Sequence, residues 1–188
     1  MSNDNKAGAK KSNSLDKSVE SNASSPNLSQ EIIMKDEPTY QGLSAVPQPG
    51  DKAFDFDFEL TSGQKVSLTD LNSRSPVLLN FIKGTWCPFC QRHLYNLRSW
   101  QNKFSYRNIT LLVISNEPTG ALRAWARDNE IKYLFGSIKD TLVFSKYGVD
   151  IANHDFARPA TFLIDKGMII RFSYTGVREE SALFPKVP

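Results

Sequence analysis

The chain predicts an α/β domain built on a central mixed sheet, with helices on both faces and a β-hairpin at its N-terminal side. Three observations carry this. Segments of strand and helix character alternate between residues 77 and 147, a pattern that lays helices over both faces of a sheet. Two hairpin-like pairs bracket that alternation. Finally, the continuous apolar run Val77-Leu78-Leu79-Asn80-Phe81-Ile82, as expected of a doubly covered central strand, leads into a turn and a helix start that hold the only two cysteines of the chain.

Phe54, Phe56 and Phe58 alternate with Asp55, Asp57 and Glu59, the two-residue period of a half-buried strand. Ser62-Gly63-Gln64 turns the chain, Lys65-Val66-Ser67-Leu68 returns as its partner, and Thr69-Asp70-Leu71 reads as a local turn. Beyond the central strand, Leu94, Leu97, Trp100 and Phe104 recur at helical spacing from Pro88 onward and predict a long helix with a packed face. Residues 109–114 form the next apolar strand. Residues 118–129 form a helix with Leu122, Trp125 and Ala126 on one side, and Tyr133-Leu134-Phe135 a short strand. Asp140 caps a helix running to Tyr147, with Val143 and Phe144 facing inward and Gly148 at the stop position. Ala160-Thr161-Phe162-Leu163-Ile164 and Met168-Ile169-Ile170-Arg171-Phe172 flank Asp165-Lys166-Gly167 as a closing hairpin.

A length of 188 residues suits one domain with a tail: residues 1–45 as a disordered polar tail and linker, residues 46–188 as the folded domain. Within the tail, residues 28–35 have the composition for a helical turn or two. The net charge of +3 is modest and the charges are interspersed along the folded part, so neither nucleic acid nor a membrane surface is an expected partner. Met1 is followed by Ser2-Asn3-Asp4-Asn5-Lys6 with no apolar leader, and no stretch is long enough to span a bilayer, which predicts a cytoplasmic protein. Structural disulfides are rare in that compartment, so a lone Cys-x-x-Cys pair there is expected to be a reversible redox centre. Pro185 and Pro188 prevent a long closing helix, which leaves sheet surface to be covered by residues 28–46 or by a second subunit of a homodimer.

Gly84-Thr85-Trp86-Cys87-Pro88-Phe89-Cys90 carries the chemistry. A strand that ends in a tight turn and enters a helix places Cys87 at the helix N-terminus, where unpaired N–H groups and the helix dipole favour the thiolate. Such sites lower a thiol pKa from about 8.5 to roughly 3.5–7.5, so Cys87 is the expected nucleophile, its sulfur exposed and that of Cys90 covered. Pro88 suits the first helical position, where its missing N–H costs nothing. Cys90, one turn on, is the expected resolving thiol. Two alternatives compete. One is a pair of inert buried cysteines behaving as small apolar residues. The other is a metal site from Cys87, Cys90 and His93, which lacks ligands because the only other histidine is His154. The expectation is therefore no metal and no organic cofactor.

Several stretches together resemble the redoxin branch of the thioredoxin-like fold, which includes the alkyl hydroperoxide reductase and thiol-specific antioxidant family and the peroxiredoxins. They are Phe54-Asp55-Phe56, Leu60-Thr61-Ser62-Gly63, Val66-Ser67-Leu68, Val77-Leu78-Leu79-Asn80-Phe81, Trp86-Cys87-Pro88-Phe89-Cys90, and Arg158-Pro159-Ala160-Thr161-Phe162-Leu163-Ile164-Asp165-Lys166-Gly167. The likeness runs over about residues 46–178. It implies a thioredoxin-like fold and a redox-active Cys87–Cys90 disulfide. Pro159 corresponds to the cis-proline that faces this disulfide in the substrate groove beside Trp86 and Thr85. Arg158 resembles the arginine that lowers the pKa of a peroxidatic thiol and binds peroxide oxygens, against the plainer reading of a solvated loop arginine.

Departures from the family pattern separate two activities. The Pro-x-x-x-Thr/Ser-x-x-Cys loop of peroxiredoxins is absent: counted back from Cys90 its hydroxyl position is Cys87 and its proline position Lys83, and counted back from Cys87 the hydroxyl position is Gly84. Thr85 is placed to lend a hydroxyl by proximity. The thioredoxin-type Trp-Cys-x-x-Cys is intact, but its buried aspartate is Asn80 here, and the glutamate common three residues after the second cysteine is His93. His93 is either the proton relay for Cys90 or an exposed helix residue.

The leading expectation is a thiol-disulfide oxidoreductase in cell redox homeostasis, acting on a disulfide-containing protein and re-reduced by a dithiol protein or glutathione. The alternative is a peroxiredoxin-like thiol peroxidase with a hydroperoxide substrate and antioxidant activity. A non-enzymatic redoxin scaffold that binds a partner is the third class.

Overall fold

The computed structural model describes residues 45–151 and 154–175. The polar tail apart from Ala45, the helical turn expected at 28–35 and the segment after Thr175 lie outside the described residues, and with them the question of what covers the sheet.

Among the described residues seven strands form one mixed sheet: β1 (Asp57–Leu60), β2 (Lys65–Ser67), β3 (Val77–Phe81), β4 (Thr110–Ser115), β5 (Leu134–Ser137), β6 (Ala160–Ile164) and β7 (Ile170–Thr175). Their spatial order is β2-β1-β5-β4-β3-β6-β7. β3, β4 and β5 are parallel to one another, while β1–β2, β1–β5, β3–β6 and β6–β7 are antiparallel. Among the described residues four helices accompany the sheet: α1 (Leu68–Arg74), α2 (Pro88–Tyr106), α3 (Thr119–Asp128) and α4 (Leu142–Lys146).

β3 is buried at all five positions, as a continuous apolar run requires. Its side chains alternate between two cores. Val77, Leu79 and Phe81 join Leu68 of α1 and Val143 and Phe144 of α4 on one face. On the other face Leu78 and the following Ile82 join Cys90, Leu94 and Leu97 of α2 and Leu122 of α3. This is the mixed sheet covered on both faces, with its N-terminal hairpin, that the alternation predicts. The first core also holds Tyr147, whose hydroxyl donates to the Phe54 carbonyl at 2.7 Å and whose ring lies 5.1 Å from that of Phe81.

Four local expectations are corrected. Residues 69–71 belong to α1 rather than to a turn, because Ser67 and Asp70 form a reciprocal capping box: the Ser67 hydroxyl accepts from Asp70 N and the Asp70 carboxylate accepts from Ser67 N, both at 3.0 Å. These bonds hold the Asp70 carboxyl below its usual range. The first strand begins at Asp57, so Phe54 stays exposed and only meets Tyr147 edge-on. Trp100 is 51% exposed on α2, with Lys103 Nζ 4.0 Å above its ring, in place of the buried position that its spacing suggests. β7 starts at Ile170, since Asp165 Oδ1 accepts from Gly167 N and Ile169 N and Met168 takes the left-handed conformation (φ 60°).

Candidate active site

The parallel strands deliver the redox turn beyond the C-terminal end of β3, where side chains at strand ends converge in sheets of this kind. Cys87 is the N-cap of α2 and Pro88 is its first residue. A Cys87 N–H bond to the Gly84 carbonyl (3.2 Å) closes the turn, and Gln91 N donates to the Cys87 carbonyl (2.9 Å) to open the helix.

The burial of the motif differs from its expected pattern. Cys87 is 2% exposed and Cys90 is fully buried, both packed in the core beneath α2, while Trp86 stands 56% exposed. The reason is the direction of the turn: Trp86 leans outward to meet Phe156 edge-on at 5.9 Å, and the following residue is drawn inward. Lys83 Nζ lies 5.6 Å from the Trp86 ring and 4.9 Å from the Phe156 ring, and His154 stacks on Phe156 at 4.7 Å. These contacts bring the segment before Arg158 and Pro159 to the redox turn. A β-carbon at Gly84 would overlap the Trp86 indole, so this position accepts only glycine without displacing the ring.

The two thiols are inequivalent. Cys90 is held protonated, its pKa pushed up first by the hydrogen bond that it donates to Cys87, then by burial and by the Cys87 charge; N–H groups of Gly84 and Lys83 act in the opposite direction.

His93 is buried, 6% exposed, rather than a solvated helix residue. Its Nε2 is 3.2 Å from Asn80 Oδ1, which also accepts from the Thr161 hydroxyl at 3.0 Å. Asn80 Nδ2 donates to the Leu78 and Leu112 carbonyls (3.1 and 3.4 Å). Thr161 is in place because β6 pairs with β3 in the register Asn80↔Thr161.

Thr85 is buried and fully engaged. Its N–H donates to Glu117 Oε2 at 2.6 Å and its hydroxyl to Glu117 Oε1 at 2.8 Å, while its carbonyl accepts from Gln91 Nε2 at 2.7 Å. The hydroxyl expected to be available to a peroxide is thus committed to a carboxylate. Arg158 directs Nη2 (2.6 Å) and Nε (3.2 Å) to the Gly148 carbonyl, and its own N–H bonds the Val149 carbonyl. Pro159 is buried immediately before β6. Glu117 and Gln91 were not singled out from the sequence; the signal for Glu117 is a polar residue two places past the end of an apolar parallel strand, the level of the sheet where the cysteines also lie. Among the described residues no cluster of His, Cys, Asp and Glu is arranged for a metal ion, and no helix is long and apolar enough to cross a membrane.

Comparison with known proteins agrees with this fold. The chain is 24% identical over 155 residues to the thioredoxin-like protein YneN of Bacillus subtilis, covering 79% of this chain and 84% of that one. Among solved structures it is similar to the peroxidoxin BcpB of Mycobacterium tuberculosis (TM-score 0.66, 21% identity, 72% of this chain and 90% of that one). It is likewise similar to a thiol peroxidase from Chromobacterium violaceum (TM-score 0.65, 16% identity, 73% and 81%). Residues 49–173 match the AhpC/TSA family, most of the described domain, and the chain therefore belongs to the AhpC/TSA family of thiol-dependent oxidoreductases.

Proposed function

We propose that this protein is a thiol-disulfide oxidoreductase in which Cys87 attacks and Cys90 resolves. The observation that carries this reading is the geometry at the start of α2: Cys87 is the N-cap with Pro88 as the first helical residue, and Cys90, buried one turn on, is hydrogen-bonded to it. The Cys87 thiolate attacks one sulfur of a substrate disulfide, forming a mixed disulfide and releasing the other half as a thiolate. Cys90 gives up its proton to His93 and attacks the Cys87 sulfur, which releases the second half as a thiolate and leaves the Cys87–Cys90 disulfide. A dithiol protein or glutathione returns two electrons to the pair. Trp86 and Pro159 line the substrate groove, and the low exposure of Cys87 favours a partner that engages Trp86 before the sulfur is reached. The protein acts in the cytosol, in redox homeostasis, with residues 1–45 as a tail on the domain formed by 46–188.

The peroxidase reading draws support from the structural likeness to thiol peroxidases and from Arg158 preceding Pro159. In it, the Cys87 thiolate attacks the terminal oxygen of a hydroperoxide, breaking the O–O bond and releasing the alcohol, or water from hydrogen peroxide; the resulting sulfenic acid condenses with Cys90 to form the disulfide and a molecule of water. The commitment of the Thr85 hydroxyl to Glu117 weighs against it.

Stopped-flow mixing of the reduced protein with hydrogen peroxide, and a parallel insulin-reduction assay, decide between them. Insulin reduction with peroxide consumption no faster than that of an ordinary thiolate is expected; fast peroxide turnover with no insulin reduction would reverse the assignment. Sedimentation of the full chain tests the homodimer.

A further inference from the structure

We infer that Glu117, a residue outside the Cys-x-x-Cys turn, is the positioning residue that holds the two sulfurs at reacting distance. This rests on the dithiol reading above. Glu117 grips Thr85 at two points, its N–H and its hydroxyl, with one carboxylate oxygen each. The carboxylate is itself fixed: the Ser115 hydroxyl donates to Oε2 at 3.3 Å and accepts from Glu117 N at 3.2 Å, and the Ser137 hydroxyl donates to the Glu117 carbonyl at 2.6 Å. Ser115 and Ser137 face each other across β4 and β5, so the clasp is anchored in two strands of the sheet rather than in a loop.

The clasped residue lies between the two halves of the redox chemistry. On its N-terminal side, the backbone N–H groups of Lys83 and Gly84 reach the Cys90 sulfur. On its C-terminal side, Cys87 follows after one residue, tied back to Gly84. Fixing Thr85 therefore fixes both the donors on one sulfur and the position of the other. Two groups held in register react as if at very high local concentration, and the advantage is lost with small displacements. Charge-assisted hydrogen bonds to a half-buried carboxylate suit this role, since they are shorter and stronger than neutral ones.

The consequence is read in the exchange of the reduced protein with oxidised glutathione, in which the dithiol becomes the Cys87–Cys90 disulfide and two glutathione thiols are released. Its equilibrium constant measures the effective concentration of one sulfur at the other. Glu117→Ala is expected to lower that constant about tenfold, a rise of ~30 mV in potential. Glu117→Gln, which keeps one acceptor oxygen, should fall between Glu117→Ala and wild type. Thr85→Val should lower the constant, and adding it to Glu117→Ala should bring little further loss, since both cut the same clasp. Glutathione mixed with Cys87 should persist longer in each variant because Cys90 attacks more slowly. Amide hydrogen exchange at Thr85 reports the clasp independently of activity: slow in wild type, fast in Glu117→Ala, and intermediate in Glu117→Gln should Ala not fold.

A Thr85 amide that exchanges freely in wild type overturns the inference. So does an equilibrium constant within twofold of wild type in the Gln and Ala variants. A wild-type protein that forms no disulfide with glutathione overturns the dithiol reading itself, and the positioning role falls with it; an active wild type with unaffected variants removes the positioning role alone.

Discussion

Asn80 on β3 and His93 on α2 are joined through Asn80 Oδ1 and His93 Nε2 at 3.2 Å. The orientation of the amide is set from the other side, because its Nδ2 faces two backbone carbonyls, of Leu78 and Leu112, which only an N–H group can satisfy. Oδ1 is therefore an acceptor, and His93 Nε2–H is its donor. Two positions that depart from the family pattern in sequence thus meet as one buried pair.

Replacing Asn80 by aspartate tests that pair. A carboxylate at position 80 would favour the imidazolium, so His93 should titrate at higher pH than in wild type. The Leu78 and Leu112 carbonyls would lose their donor, at a cost of about 1–3 kcal/mol of stability. NMR titration of the two histidines reads the first and urea unfolding the second. An unshifted His93 resonance would show that the ring does not sense position 80.

Alkaline pH should destabilise the reduced protein through Cys90. Its folded pKa is raised by the bond to Cys87 and by burial, so the folded state keeps a proton that the unfolded chain releases above its ordinary value of about 8.5. Stability is complete below that pH and falls as pH rises beyond it, by ~2 kcal/mol at pH 10, with 1.36 kcal/mol for each pH unit above about 8.5. Tyr133 and Tyr147, also raised chiefly by burial, extend the loss at still higher pH. Urea midpoints of reduced wild type and Cys90→Ala between pH 8 and 10 should converge; parallel curves would refute the assignment.

Gly84→Ala should uncouple the exposed rim from the sulfurs. The added methyl overlaps the Trp86 indole, and the ring must leave its contacts with Phe156 and Lys83. Insulin reduction is expected to fall roughly ten- to hundredfold, given the sensitivity of reactive geometry to small displacements. The Trp86 indole N–H resonance should move, whereas those of Trp100 and Trp125 stay in place. Unchanged activity with a moved Trp86 signal would remove the indole from the substrate groove.

Features carried by neighbours in sequence are legible in the chain itself. The run at 77–82, Pro88 at the first position of α2 and Gly148 in the left-handed conformation after α4 each follow from the chemistry of a few adjacent residues. α1 is not legible in this way, because its helical stretch is only seven residues long and its capping partner is an aspartate rather than the longer glutamate. Helical spacing identifies α2 but puts Trp100 inside, since a period shows that residues share a side of the helix without showing where the sheet beneath that side ends.

The amino-acid order alone determined that two thiols stand one turn apart at a helix start, with a proline between them and an apolar strand behind, because strand, turn and cap preferences act over a few residues. Tertiary structure decided which of those groups meets solvent and which meets another side chain. Cys87 turned inward and Trp86 outward, Asn80 found His93 and Thr161, and Glu117 closed on Thr85 across 32 positions of chain. Those pairings depend on the register of β3 with β6 and of β4 with β5, which is fixed by the packing of both sheet faces at once and not by any single segment.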